Sequence, residues 1–459
     1  MLPETLSAYK PLLGAGTELR VQYNSASGVG IVAGNITSNS SGVSGGASAR
    51  TTRGGYYGFA SSAETDAAAI KAVLATAERN AGFLFGKLGT KKPQRKPLPQ
   101  SRIDTKSVRN SPEQKRLLDF ARDVDAYVAG KYKTLTSRYI GLGVNAMDKY
   151  LLTGDGAETK SYLPRAHMYV NLSTETPDGN AIDYTEVFGG AGSFEANFTT
   201  PEALYERIEK IYETLMAKRD GIYADAGVKD VILAKELGGM LAHEAVGHTT
   251  EADLVLGGSV AGPYLNKKVA SELISMVDFA NTYNGTELEQ PIYVDDEGTI
   301  ARDAHLITDG ILTGYMYNRE LAEHFNAEPT GNARAYTFAD EPLVRMRNTA
   351  ILPGTDKLAD MIASIDDGYY LTQTGNGQAD LTSEFMFSIN MGYEIKNGKL
   401  GRAIRDTTIS GVAFDLLKTV TMLGDEMYWT SSGMCGKKQP MPVSMGGPDL
   451  KCRVNIGGR

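Results

Sequence analysis

The segment His243-Glu244-Ala245-Val246-Gly247-His248 combines two imidazoles, which can bind a metal ion, with a carboxylate beside the first of them. In zinc hydrolases such groups hold a metal that activates water, and the glutamate moves the water proton. The common HExxH motif places its histidines four residues apart on one helix face, whereas here they are five apart. Five residues correspond to a separation of about 140° around an ideal α-helix. We therefore predict that the helix expected from Leu237 to His248 contains a π-turn, kinks or ends near Gly247.

A catalytic zinc ion normally has three protein ligands and one open position, so a third ligand is required. Cys435 is the best candidate, because Gly433 and Gly436 flank the Met-Cys pair and permit close approach of a metal. A cysteine thiolate is also a strong zinc ligand. The remaining histidines and the second cysteine lie in ordinary strand-like or helix-like segments, and we interpret them as structural residues: His167, His305, His324 and Cys452.

Charge and cysteine usage exclude several functional classes. The chain of 459 residues has 47 basic and 55 acidic side chains, a net charge of −8 that disfavours non-specific nucleic-acid binding. Its first residues lack the basic and apolar regions of a signal peptide, and no run approaches the roughly 18 apolar residues of a membrane span. With only two cysteines, we expect a cytoplasmic protein that has no structural disulfide. We also expect that it binds neither a membrane nor nucleic acid.

The order of helix-like and strand-like segments predicts an α+β protein. We expect an N-terminal α+β segment over 1–87, a basic, proline-rich linker over 88–110, and a middle α+β segment over 111–225. A strand-rich C-terminal catalytic domain that carries the metal-binding helix should then cover 226–459. The Ser/Gly-rich tract at 38–48 is typical of a flexible loop, with a set of tight turns as the alternative.

Six segments, taken together and in this order, resemble the TldD/PmbA family of metallopeptidases. They are HEAVGHTTEADLV from His243, YVDDEGT from Tyr293, LITDGILTGYM from Leu306, TGNARAY from Thr330, RMRNT from Arg345 and GMCGKKQPMPVSMGGP from Gly433. Because the HExxxH motif is intact, the chain is similar to the active TldD-type subunit of the family rather than to the TldE/PmbA-type partners, which lack it. Thr249 and Thr250 depart from the resemblance, since apolar residues are expected there.

The resemblance implies that His243, His248 and Cys435 bind Zn²⁺ and that Glu244 is the general base. It also implies that the substrates are unfolded or flexible peptides. The expected assembly is a homodimer or a heterodimer with a related subunit that lacks the motif. The expected function is therefore that of a zinc-dependent metallopeptidase. The alternative is a non-catalytic, zinc-containing subunit for binding or assembly, against which Glu244 argues, because a structural zinc site needs no base.

Two other groups of residues allow more than one interpretation. Asp295-Asp296-Glu297-Gly298 could be a cation site, but it lacks the ligand spacing of a calcium loop and is more typical of a polar turn. Arg334 and Arg345 could contact a peptide, or they could pair with an acidic neighbour. These alternatives stay open at the level of sequence.

Overall fold

The structure is a computed structural model, and it describes residues 5–89, 96–105 and 112–457. The N-terminal half contains the strands β1 (Thr17–Val32), β2 (Asn35–Arg53), β3 (Tyr56–Ser62), β4 (Ser101–Asp104), β5 (Ser137–Thr153), β6 (Ala157–Glu175) and β7 (Ala181–Ala191). Its helices are α1 (Ala67–Leu88), α2 (Gln114–Lys131), α3 (Phe194–Asn197) and α4 (Tyr205–Arg219). Short 3-10 turns cover Ser7–Leu12 and Pro201–Leu204.

The described strands of this half form one sheet in the order β3-β2-β1-β5-β6, and both β4 and β7 pair with β6. Only β4 runs parallel to its neighbour. Apolar residues of β1 such as Leu19 and Val29 pack under α1 and under α2 and α4, respectively. The alternate residues Arg20 and Gln22 instead bind backbone carbonyls of the C-terminal half. The alternation along β1 therefore gives the sheet one helix-covered face and one face toward the rest of the chain.

The C-terminal half contains the remaining elements. Its strands are β8 (Gly227–Leu233), β9 (Met276–Phe279), β10 (Thr282–Tyr283), β11 (Thr286–Glu287), β12 (Ala304–Thr308), β13 (Ile311–Leu312), β14 (Ala333–Arg334), β15 (Leu343–Val344), β16 (Asn348–Ile351), β17 (Asp367–Ala379), β18 (Glu384–Lys396), β19 (Lys399–Ile404), β20 (Thr407–Val412), β21 (Met422–Leu423), β22 (Tyr428–Cys435), β23 (Met441–Gly447) and β24 (Leu450–Ile456). Its α-helices are α5 (Lys235–Met240), α6 (Ala252–Leu256), α7 (Arg319–His324), α8 (Leu358–Ala363) and α9 (Ala413–Lys418).

Two larger sheets of this half enclose α5. One has the order β13-β12-β9-β16-β23-β22, which leaves β22 at an edge. In the other, β17, β8, β24, β20 and β18 form a closed ring, because β17 also pairs with β18. Helix α5 contacts β23 of the first sheet and β17 of the ring, and Leu237 is fully buried in the core between them. The predicted α+β fold with a strand-rich C-terminal half is thus confirmed.

The expectation of a flexible loop at 38–48 is wrong. These residues lie in β2, which pairs with β1 from Thr51 opposite Thr17 to Asn35 opposite Val32. The side chains of residues 35–44 are all exposed. This part of the strand therefore lacks the alternation of buried apolar and exposed polar residues by which a strand is recognised in a sequence. Backbone pairing with the preceding strand, β1, across the two-residue turn Ala33-Gly34 fixes this segment. A composition rich in Ser and Gly does not by itself predict that pairing.

The basic linker predicted over 88–110 is described only in part. Helix α1 extends to Leu88, and Ser101–Asp104 form β4 on the edge of β6. Residues 90–95 and 106–110 of the predicted linker lie outside the described residues. The segments on either side contribute strands to the same sheet. Within the part of the chain that the structure describes, no helix is both long enough and apolar enough to cross a membrane.

The contact between β3 and α1 gives a test of the fold. A Cβ atom at Gly58 would lie 2.0 Å from the carbonyl oxygen of Ala77 and 2.3 Å from the backbone nitrogen of Ala81. We expect Gly58→Ala to lower the free energy of unfolding by about 1–3 kcal/mol, because backbone atoms cannot yield as a side chain can. Gly42→Ala, where a Cβ meets nothing within 4 Å, should stay within about 0.5 kcal/mol of wild type. Urea unfolding measures both, and equal stability of the two variants would contradict the packing.

Candidate metal centre

The helix that carries the two motif histidines departs from α-geometry at the motif. Helix α5 ends at Met240 and continues as a π-helix over Leu241–Gly247, followed by a 3-10 turn over His248–Thr250. In a π-helix, residues five apart lie on the same side. The ring centroids of His243 and His248 are accordingly 5.1 Å apart. The predicted distortion of the helix is confirmed, and of the three forms considered (a π-turn, a kink or an end near Gly247) the structure has the π-turn.

Local packing and hydrogen bonds account for this geometry. Leu241, Ala245 and Val246 are fully buried, so the widened turn is enclosed by core side chains. Thr249 donates its hydroxyl to the carbonyl of Val246 at 2.8 Å, and Thr250 donates to that of Gly247 at 2.9 Å. These bonds satisfy carbonyl groups that the end of a helix leaves without partners. They also explain why two buried threonines stand where the resemblance predicted apolar residues.

The structure brings the three predicted metal ligands together. Cys435, at the end of β22, is buried, and its sulfur lies 3.4 Å from His248 Nε2. The possible ligand atoms of His243, His248 and Cys435 all lie within 4.8 Å of one another. Glu244 places Oε2 3.9 Å from His248 Nε2 and keeps 22% of its side chain exposed. The four residues therefore form one compact group.

The residues interpreted as structural lie apart from this group. His167 Nε2 is 3.1 Å from the carbonyl oxygen of Ser431, and burial, together with the charge of Arg165, lowers the pKa of His167 to about 4. His305 and His324 are exposed. Cys452 is buried in β24, where burial raises the pKa of its thiol. Among the described residues, none of the four joins the His243, His248 and Cys435 group.

The electrostatics of the group favour a thiolate. Burial opposes ionisation of Cys435, but hydrogen bonds and charges from His243 and His248 outweigh it and lower the pKa of Cys435 to about 4. Burial alone would lower the pKa of His248, yet Cys435 and Glu251 raise it to about 10. Without a metal, His248 therefore holds a proton beside the Cys435 thiolate. A metal ion that binds His248 at this nitrogen must displace the proton, so binding of the metal releases a proton.

The donor atoms fit a zinc ion. Two imidazoles and one thiolate are ligands that zinc takes in protein sites, with a fourth position open to water. His243 Nδ1 is buried and has no hydrogen-bond partner among the described residues. A buried nitrogen without a hydrogen-bond partner destabilises the folded chain unless a ligand or a metal ion binds it. The chemistry of the group and this unpaired nitrogen both agree with a metal centre.

His243 and Glu244 also line a cleft of about 1020 Å³ between the two halves of the chain. Residues of β6 and β7, including Tyr169 and Glu186, form part of its lining, and residues 430–434 of β22 form another part. A cleft of this volume is large enough for a ligand well beyond a single residue. The motif glutamate is therefore accessible from a space that could hold a peptide segment.

Two residues beside the group had no assigned role in the sequence analysis. The carboxylate of Glu251 lies 2.8 Å from His248 Nδ1, and Lys437 lies 3.2 Å from the other carboxylate oxygen. An acidic residue three positions after a candidate ligand was a usable signal, because metal-binding histidines commonly bond to carboxylates. No local signal marked Lys437, since its partner is distant in sequence.

The ambiguous residues have structural partners. Asp296 pairs with Lys149 at 2.6 Å, and Glu297 pairs with Arg50 at 2.6 Å, so the Asp295–Gly298 segment is a buried polar turn joined to the N-terminal sheet. Arg334 donates to the carbonyl of Met346, and Arg345 donates to the carbonyls of Cys435 and Gln439. Both arginines are buried and bind backbone carbonyls.

Comparisons with known proteins show the family of the chain. Residues 226–458 match the PmbA/TldA metallopeptidase C-terminal domain, and residues 17–81 match domain 1 of the same family. The chain belongs to the PmbA/TldD metallopeptidase family. A protein named metalloprotease from Methanothermobacter thermautotrophicus is 30% identical over 73% of this chain and 72% of its own length. A protein named zinc metalloprotease TldD homolog from Saccharolobus solfataricus is 34% identical over 55% of this chain and 56% of its own length.

The matches differ in how much of each protein they cover. The chain spans about half the length of several of the curated relatives that it matches. The crystal structure of TldE from Thermococcus kodakarensis has a TM-score of 0.74 at 15% identity, and it covers 98% of each chain. At that identity the likeness shows a shared fold. The family and the fold are thus established independently of the chemistry of the metal centre.

The two cysteines provide a matched test of the metal centre. We expect zinc at 100 times its dissociation constant to raise the free energy of unfolding of the metal-free protein by about 2.7 kcal/mol. Cys435→Ala should lose most of this zinc-dependent increase, because it removes a ligand. Cys452→Ala should keep it, even if its own stability is lower. Thermal unfolding with and without zinc measures the difference, and an unchanged increase in Cys435→Ala would contradict the site.

Proposed function

We propose that the chain is a zinc-dependent metallopeptidase that hydrolyses unfolded or flexible peptides. The observation that carries the proposal is the convergence of His243, His248 and Cys435 beside Glu244, at the wall of a peptide-sized cleft. A structural zinc site needs neither a neighbouring general base nor an open cleft. The names of the relatives support the same activity.

In this mechanism His243, His248 and Cys435 would hold the metal. When bound, zinc would polarise the substrate carbonyl and acidify a water molecule. Glu244 follows His243 directly and lines the cleft, so we assign it the transfer of the water proton to the leaving amine. Its carboxylate is partly exposed and lies at the cleft, so that both the water and the substrate could reach it.

The form of the substrate follows from the cleft wall. Strand β22 is the edge strand of its sheet and leads to Cys435, and residues 430–434 of this strand line the cleft. An extended peptide could add to such an edge through backbone hydrogen bonds, which give affinity with little sequence preference. Only a chain segment without stable structure can adopt that form, so flexible peptides are the substrate class that we propose.

We further propose a cytoplasmic assembly of two subunits, either two copies of this chain or this chain with a related subunit that lacks the motif. The family resemblance supports a pair of subunits. The net charge of −8 gives no support for nucleic acid as a partner.

The proposed base can be separated from the proposed ligands by one substitution. Glu244→Gln keeps the side-chain shape and should leave the zinc content near that of wild type, while cleavage of an unfolded peptide falls by roughly 10²-fold or more. Glu272→Gln, at a side chain that is 80% exposed and pairs with Lys268, is the matched control and should cleave at the wild-type rate. Zinc content and initial rates are measured on the same samples.

Two results would count against this account. Full peptidase activity of zinc-loaded Glu244→Gln would remove the general-base role. Wild-type protein that binds zinc but cleaves no unfolded peptide, alone or with a related subunit, would favour the non-catalytic zinc subunit.

A further inference from the structure

The side of His248 that faces away from Cys435 contacts a carboxylate in the protein interior. His248 Nδ1 lies 2.8 Å from Glu251 Oε2, and Glu251 is fully buried between the 3-10 turn and α6. A proton on Nδ1 that is donated to the carboxylate leaves the lone pair of Nε2 for a metal. Glu251 therefore sets both the tautomer and the orientation of the ring.

The second oxygen of Glu251 faces the segment that follows Cys435. Glu251 Oε1 lies 3.2 Å from Lys437 Nζ, and only 9% of the Lys437 side chain is exposed. Lys437 also lies 3.0 Å from both carboxylate oxygens of Asp253 and donates to the carbonyl of Val344 at 2.6 Å. The Lys437 ammonium thus has a fixed position, and it joins the Cys435 segment to the segment after His248.

A second buried cation holds the same segment from another side. Arg345 is fully buried and donates to the carbonyl of Cys435 at 2.8 Å and to that of Gln439 at 2.7 Å. The loop between these two residues is therefore fixed at both ends. Within that fixed loop, Lys437 is the residue that reaches the histidine side of the centre.

We propose that Glu251 and Lys437 are positioning residues, which act as a buried ion pair that holds His248 and Cys435 at the separation the metal needs. The inference rests on the proposed zinc site and extends it to residues that touch no metal. Burial of an ion pair is costly and often gives no gain over apolar side chains. Because the pair lies between the segment that carries His248 and the segment that carries Cys435, it can set the separation of these two ligands.

The test is the zinc affinity of the purified full-length chain, measured by competition with a chelator. Glu251→Gln should weaken zinc binding by about 10–100-fold, the usual effect of losing a carboxylate behind a metal-binding histidine. Lys437→Met should weaken it as well, although Lys437 contacts neither histidine nor the thiolate. Glu272→Gln is the control, because it also removes one carboxylate charge but at an exposed side chain that pairs with Lys268, and its affinity should stay within about fivefold of wild type.

The double variant Glu251→Gln/Lys437→Met keeps the test valid if a single variant leaves an unpaired buried charge and fails to fold. It removes both charges, and its loss of affinity should be close to that of Glu251→Gln alone, because the two residues act as one unit. The d–d absorption bands of the cobalt-loaded protein should shift in Glu251→Gln and stay in place in Glu272→Gln. A purely structural role would not change these bands.

Two results distinguish a failure of the positioning role from a failure of the zinc site. A folded Glu251→Gln or double variant with wild-type zinc affinity and unshifted cobalt bands would overturn the positioning role and leave the zinc site intact. A wild-type chain that binds no zinc would overturn the zinc site itself, and the positioning role with it.

Discussion

The metal centre depends on a helix that widens at one defined place. If α5 continued with α-helical geometry through the motif, His243 and His248 would point about 140° apart and could not share one ion. The π-helix of Leu241–Gly247 removes this conflict, and core packing together with the Thr249 and Thr250 hydroxyls holds it in place. The enclosing sheets therefore stabilise a π-helix, a form that is rare in proteins.

A second dependence links the cleft to both halves of the chain. The N-terminal sheet supplies one wall of the cleft and is joined to the C-terminal half by buried ion pairs, among them Arg50 with Glu297 and Lys149 with Asp296. Burial lowers the pKa of Lys149 to about 8 even though Asp296 favours its charged form. Such pairs add little net stability, but they strongly disfavour separation of their partners. The width of the cleft is thereby tied to the contact between the halves.

The sequence predicted the features that local chemistry determines. The spacing of His243 and His248 was enough to predict that the helix is distorted near Gly247, although it left a π-turn, a kink and a helix end as alternatives. The glycines around Cys435 indicated a candidate ligand that the fold then places beside the two histidines. Two features were missed for different reasons. The Ser/Gly tract forms β2 by pairing with the preceding strand β1, and its exposed, weakly apolar sequence hid the hairpin. Lys437 meets Glu251 only after the chain has folded, and no local pattern contains that contact.

The central claim is that two imidazoles and one thiolate of this chain hold a single zinc ion. X-ray absorption at the zinc edge of the purified, zinc-loaded chain tests this claim most directly, because it counts sulfur and nitrogen neighbours. The account predicts one sulfur at about 2.3 Å and two imidazole nitrogens at about 2.0–2.1 Å, with one further light atom from water. A zinc spectrum without sulfur, or one with two sulfur neighbours, would contradict it.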